Sequence, residues 1–175
     1  MGVPPEPELA ESARVVRIGA ADFESFFRAE HAGLFRALCL VTGSRQEAED
    51  VMQVAFLRVF ERWDRVAAMD RPDGFLYRVA MNEFRSRYRR TARAAKRAIT
   101  REPDDAFAEI DERDAVVRAL RDLSPQQRAA VVLTTMLGYP SEEAGDLLGL
   151  SASSVRTLAT RARKHLRVSV EEQAR

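Results

Sequence analysis

This chain of 175 residues has few of the groups that enzymes use: one cysteine, Cys39, and two histidines, His31 and His165. A single cysteine excludes an intramolecular disulfide and leaves any zinc site without its usual thiolates. Flanked by Leu38 and Leu40, Cys39 reads as a buried thiol. There is no Gly-rich phosphate loop and no His-Glu-x-x-His pair. The many carboxylates stand beside basic residues, the pattern of solvated ion pairs. We therefore expect no enzyme, no cofactor and no metal. The chain also lacks a run of about 18 uninterrupted apolar residues and a basic start followed by an apolar stretch. No membrane insertion is expected, and the implied compartment is a reducing cytoplasm.

What is present suffices for packed helical cores, with 46% hydrophobic residues. A net charge of +1 conceals two opposed blocks. Between Arg85 and Arg101 stand eight basic residues and no acid, and between Glu102 and Asp114 seven acids against one Arg113. Such blocks, more than the total, are what a partner feels.

Residues 1–20, rich in Pro, Glu and Ala without a sustained period, read as a flexible tail. Helical patterning begins at Asp22 and ends at Gly43, with His31 a half-buried helix residue. Ser44 and Glu47 form an S-x-x-E capping box that opens a second helix running to about Trp63. Met52, Ala55, Phe56, Val59 and Trp63 make its buried stripe, yet Val54 and Leu57 project elsewhere beside Asp50, Gln53 and Glu61. A helix apolar on two sides is either central in its bundle or docks on a partner.

The segment Asp64 to Gly74, holding Pro72 and Gly74, reads as a loop. A third helix follows, with Leu76, Tyr77, Ala80, Met81, Phe84 and Tyr88 inward and Arg78, Asn82, Arg85 and Arg89 along another face. That basic ridge suits phosphate tracking with base contact, although a charged helix face is often only solvated. The acidic stretch after it, within 93–111, marks a linker. A second domain opens near Glu112. Ser124, Pro125 and Gln127 supply another capping box for a helix ending at Gly138, and Ser141 can cap the next.

Two short helical patterns then meet at Leu-Gly-Leu-Ser. Gly149 suits a turn with positive φ, Ser151 an N-cap, and Gly145 a close crossing. In the last helix Val155, Leu158, Ala159, Ala162 and Leu166 share one stripe, while Arg156, Thr157, Thr160, Arg163, Lys164 and Arg167 share the opposite one. This is the layout of a helix-turn-helix whose second helix enters a DNA major groove. An ordinary helical hairpin with a basic face has the same spacing.

Taken together, these segments resemble the extracytoplasmic-function (ECF) sigma factors of bacterial RNA polymerase, over roughly Phe23 to Leu166. AEDVMQVAFLRVFERW looks like the family's polymerase-binding helix, PDGFLYRVAMNEFRSRYRR like its promoter-melting helix, and LSPQQRAAVVLTTMLGYPSEEAGDLLGLSASSVRTLATRARKHL like its C-terminal domain. The resemblance implies an all-α fold of two small helical domains, region 2 over 21–92 and region 4 over 112–171, joined by the flexible acidic linker 93–111.

It also implies partners. Asp50, Gln53, Val54, Leu57 and Phe60 would meet the clamp of the polymerase's largest subunit, and the C-terminal domain the flap region of the second. The Asp64 to Gly74 loop and Arg78, Asn82, Arg85 and Arg89 would engage the −10 element, capturing an extruded base. Ser153, Arg156, Thr157 and Thr160 would face base edges of the −35 element, with Arg161, Arg163, Lys164 and Arg167 on phosphates. The linker would thread the RNA exit path, and an anti-sigma factor is an expected partner. The chain departs from the family pattern in four places. Val54 replaces a common carboxylate, Phe75 a common Trp, Gly145 a common Ala, and Leu158 an Arg that contacts phosphate.

Overall fold

The computed structural model describes residues 7–95 and 119–173, and among these every regular element is helical. Helices α1 (Pro7–Thr42), α2 (Arg45–Phe60), α3 (Trp63–Ala67) and α4 (Pro72–Ala95) form a first module. Helix α5 (Pro125–Val131) runs on into a π-helical turn (Val132–Met136), followed by α6 (Ser141–Leu148) and α7 (Ala152–Gln173), which form the second. Residues 96–111 of the expected linker and the expected start of the second domain near Glu112 lie outside the described residues.

Helix α1 starts at Pro7, so the start expected at Asp22 falls inside it and residues 7–20 are helical. Pro at a first helical position loses no hydrogen bond, and the Glu, Ala, Leu and Arg that follow favour helix even without an apolar stripe. The helix stops at Gly43, whose φ of 71° permits its N–H to reach Cys39 O at 2.9 Å. Leu34 and Leu38 are fully buried on it, each contributing roughly 1.5–3 kcal/mol of hydrophobic stabilisation.

Ser44 caps α2, its Oγ accepting from the Glu47 N–H at 3.2 Å, and the stripe Met52, Ala55, Phe56 and Val59 is buried. Helix α2 ends at Phe60, however, and Trp63 is buried at the start of α3. The segment 64–74 is therefore not one loop. Val66 is fully buried on α3, and α4 begins at Pro72, which leaves only 68–71 between them. Pro72 and Gly74 are compatible with a first helical turn, where a missing N–H or a small residue costs little. Leu76, Tyr77, Ala80, Met81 and Phe84 of α4 close the module, with Tyr88 half-buried.

In the second module the Ser124 box forms in full: Ser124 Oγ accepts from the Gln127 N–H, and Gln127 Oε1 from the Ser124 N–H at 2.9 Å. Ser141 does not cap α6. Pro140 occupies the N-cap, makes no side-chain cap bond, and leaves Ser141 as the first helical residue.

The two modules pack on each other, α1 against α5 and α4 against α6, and their buried residues form one continuous apolar cluster. Arg128 crosses this junction. The residue is only 8% exposed, and its guanidinium donates to Leu123 O at 2.7 Å within its module and to Val41 O and Thr42 O of α1, each at 3.1 Å. Burial pushes its pKa down, an effect that the charge of Glu47 opposes. Tyr77 and Tyr139 face each other across the same junction with ring centroids 6.4 Å apart. Burial drives Tyr77 up to about 12, with Glu30 and Tyr139 adding to it.

Candidate nucleic-acid and partner surfaces

The outer side of α2 carries the residues expected to meet a partner. Leu57 is 57% exposed and Phe60 51%, with Gln53 and Asp50 also exposed and Val54 half-buried. Packing within the bundle therefore does not take up this second apolar face of α2. Phe60 does not stand alone. Its ring packs edge-on to Phe23 at 4.8 Å, and Phe27 lies 4.6 Å from Phe56, so α1 and α2 present one aromatic ledge. His31 sits within it, 5.0 Å from Phe27, as a ring in an aromatic stack.

Asp50 is exposed but engaged. Arg87 of α4 bonds it at 3.1 Å and also bonds Glu83 at 3.0 Å, while Arg58 of α2 reaches Glu83 at 3.0 Å. Glu83 is 6% exposed. A buried carboxylate shared by arginines of two helices fixes the rotation of α2 against α4, and hence the direction in which Gln53 and Leu57 point. Desolvation works against the Arg87 charge, but the bonds to Glu83 and Asp50 raise its pKa overall. Sequence reasoning missed this network. The available signal was Glu83 itself, an acid in a basic helix four residues before Arg87.

Along α4, Arg78, Asn82 and Arg89 are exposed at helical spacing, as expected of a ridge. Arg85 is half-buried, its guanidinium lying against Gly149 at the end of α6, where a Cβ would collide with it. The ridge therefore presents three of its four members to solvent. At the N-terminus of α4, Arg71 pairs with Asp73 at 2.8 Å and holds that carboxyl below its usual range.

The turn between α6 and α7 forms as the spacing requires. Gly149 takes φ 63°, and a Cβ on Gly145 would lie 2.7 Å from Leu150 O, so two glycines let the chain double back tightly. Ser151 caps α7 through the Ser154 N–H at 3.2 Å. Val155, Ala159 and Ala162 are buried and Leu158 and Leu166 half-buried, whereas Ser153, Arg156, Thr157, Thr160, Arg161, Arg163, Lys164 and Arg167 are all exposed. Leu158 thus packs against the core.

Several of these exposed groups are pre-engaged. Arg156 pairs with Glu142 of α6 at 3.0 Å, Thr157 Oγ1 donates to Ser153 O, and the Ser153 hydroxyl lies 3.0 Å from that of Ser151. Both charges of the Arg156–Glu142 pair are well exposed, so the pair is only weakly held. Among the described residues no cluster of His, Cys, Asp and Glu could hold a metal ion, and no helix is long and apolar enough to cross a membrane.

Comparison with known proteins agrees with this layout. The model of sigma-70 region 2 matches residues 26–94, and that of sigma-70 region 4 matches residues 113–166. The RNA polymerase sigma-E factor of Streptomyces avermitilis is 29% identical over 154 residues, covering 86% of each chain. The ECF RNA polymerase sigma factor SigM of Mycobacterium tuberculosis is 30% identical over 155 residues, 82% of this chain and 74% of that one. Among solved structures, the sigma factor RpoE of Bartonella quintana, in complex with the anti-sigma factor NepR, shares the fold with a TM-score of 0.65. Its sequence is 22% identical, and the match covers 86% of this chain and 97% of that one. The chain belongs to the ECF sigma factors of the sigma-70 family.

Proposed function

We propose that this chain is an alternative sigma factor that binds core RNA polymerase, directs it to promoters with −35 and −10 elements, and promotes opening of the DNA. One observation carries the assignment: both modules leave exposed the side chains that such a role needs and that their own packing does not use. These are Gln53, Leu57 and Phe60 on α2, Arg78, Asn82 and Arg89 on α4, and the cationic face of α7.

In this reading Asp50, Gln53, Val54, Leu57 and Phe60 meet the clamp of the largest subunit, and the second module meets the flap region. The α4 ridge follows the phosphates of the unpaired −10 strand while a base is held outside its stack. Helix α7 enters the −35 major groove, Ser153, Arg156, Thr157 and Thr160 toward base edges and Arg161, Arg163, Lys164 and Arg167 on phosphates. The chain supplies positioning and specificity, with no catalytic residue, metal or cofactor of its own. An anti-sigma factor that covers the α2 and α7 surfaces is the expected regulator, and the bacterial cytoplasm the expected compartment.

Run-off transcription with purified core polymerase on a genomic promoter library tests this. Discrete start sites that require the chain are expected, and none above core enzyme alone would overturn the assignment. A chain that bound duplex DNA but did not bring down polymerase would be a plain regulator.

A further inference from the structure

Resting on the reading of α2 as the polymerase-facing helix, we propose that Glu83 and Arg87 are positioning residues for the polymerase contact of Asp50, acting on it from α4 through one shared guanidinium. Arg87 lies between two carboxylates: its Nε donates to Glu83 Oε1 at 3.0 Å and its Nη1 to Asp50 Oδ2 at 3.1 Å. The second oxygen of Glu83, Oε2, accepts from Arg58 Nη2 of α2 at 3.0 Å. A planar fork with fixed donor directions holds two acceptors in one geometry, which a point charge on a flexible stem does not.

Burial gives this chain of ion pairs a fixed end and an open end. The Glu83 side chain is buried, that of Arg87 is 26% exposed and that of Asp50 50%. Order therefore passes outward, from a carboxylate that must stay paired because it is buried, through a partly covered guanidinium, to a carboxylate that faces solvent. Asp50 and Arg58 stand about two turns apart on α2, with Gln53, Val54 and Leu57 between them. Both ends of the stretch read as the docking face are thus tied to one place on α4.

Arg87 could compete with a polymerase cation for Asp50, or hold Asp50 ready for it. The geometry favours the second. The bond from Arg87 reaches Oδ2, half of the Asp50 side chain is open, and an ionised carboxylate has about four acceptor sites, so an incoming Lys or Arg can bind beside Arg87 without displacing it. Fixing the Asp50 rotamer beforehand removes an ordering cost that a free surface acid meets on binding. For one side chain that amounts to about three- to tenfold in affinity.

The test titrates the labelled full chain with purified core polymerase in the absence of DNA, for wild type, Glu83→Gln and Arg87→Met. Gln keeps the size of Glu83 but turns an amide NH2 toward one of its guanidinium partners. Arg87→Met leaves Glu83 paired with Arg58, and so carries the test if circular dichroism shows Glu83→Gln unfolded. Each folded variant is expected to bind core polymerase about three- to tenfold less tightly. Arg87→Lys, which keeps the charge without the fork, should lose most of what Arg87→Met loses. Placed on Asp50→Asn, neither Glu83→Gln nor Arg87→Met should weaken binding further, because the carboxylate to be positioned is gone; a merely structural role would give the same loss in both backgrounds. Unchanged affinity, or a loss that persists undiminished on Asp50→Asn, overturns the positioning role. Tighter binding by Arg87→Met also overturns it and makes Arg87 a competitor. In each of these cases polymerase binding by the wild-type chain still stands, whereas a wild-type chain that does not bind core polymerase would sink that reading and this role with it.

Discussion

Leu57 and Phe60 are large apolar side chains that the fold leaves in water, and residues of that kind separate binding from stability. Replacing Leu57 with Asp removes little buried area, so the change in folding stability is expected to stay within about 0.5 kcal/mol. If the residue lies at the centre of a polymerase contact, the same substitution should weaken binding by about 2 kcal/mol or more, some thirtyfold. Thermal denaturation and a core-polymerase pull-down measure the two quantities, and equal loss in both would show Leu57 to be structural. Arg156 makes the corresponding case in α7. Its pair with Glu142 is exposed, worth roughly 0.2–1 kcal/mol, so Glu142→Ala should alter duplex affinity by at most about fivefold while relaxing discrimination at the base pair Arg156 faces. Competition with singly substituted duplexes reads that change. Unaltered discrimination would mean that Glu142 does not position Arg156.

Helices were legible wherever local rules set them. Ser124, Pro125 and Gln127 announce α5 because a capping box is complete within four residues, and the structure forms both of its bonds. Ser124→Ala should cost about 1 kcal/mol, seen as a lower thermal midpoint, whereas Ser141→Ala should be nearly silent because Ser141 caps nothing. Equal effects would contradict the capping assignment. Reading went astray where an element lacks such marks. Helix α3 is five residues long and has no side-chain cap, and Val66 and Trp63 become core only once α1 and α4 are in place, so a loop was the natural expectation. The early start of α1 was hidden because propensity without an apolar stripe leaves no periodic signal. The apolar stripes of α2, α4 and α7, by contrast, followed 3.6-residue periodicity, apart from Trp63, which opens α3, while Arg85 of the expected ridge is half-buried.

Across the whole molecule the junction between the modules couples stability to pH. The Tyr77 phenol is raised to about 12 by burial first, and Tyr139 is raised for the same reason. In an unfolded chain a tyrosine gives up its proton near 10. Between about pH 10 and 12 the unfolded state has therefore lost a proton that the folded state still binds, and stability falls as pH rises. Below that window the contribution is fully present. Phenolate absorbance should show Tyr77 titrating with the loss of tertiary structure, and Tyr77→Phe should flatten the alkaline fall. An unchanged alkaline profile in that variant would place the sensitive group elsewhere.

What could be read from the chain alone was what lies within a few residues: helical faces, three caps, the glycine turn and the opposed charge blocks. From these came the all-α class, the helix-turn-helix and the family. What needed the folded molecule was the partner of each charged group. Arg128 stands 86 residues from Thr42 and 87 from Val41, Arg87 stands 37 from Asp50, and Arg85 meets Gly149 from the other module. No periodicity connects positions so far apart. Whether an arginine is a free cation for DNA, a clamp on a carboxylate or a cap on a distant helix is decided by which surfaces the burial of apolar residues brings together.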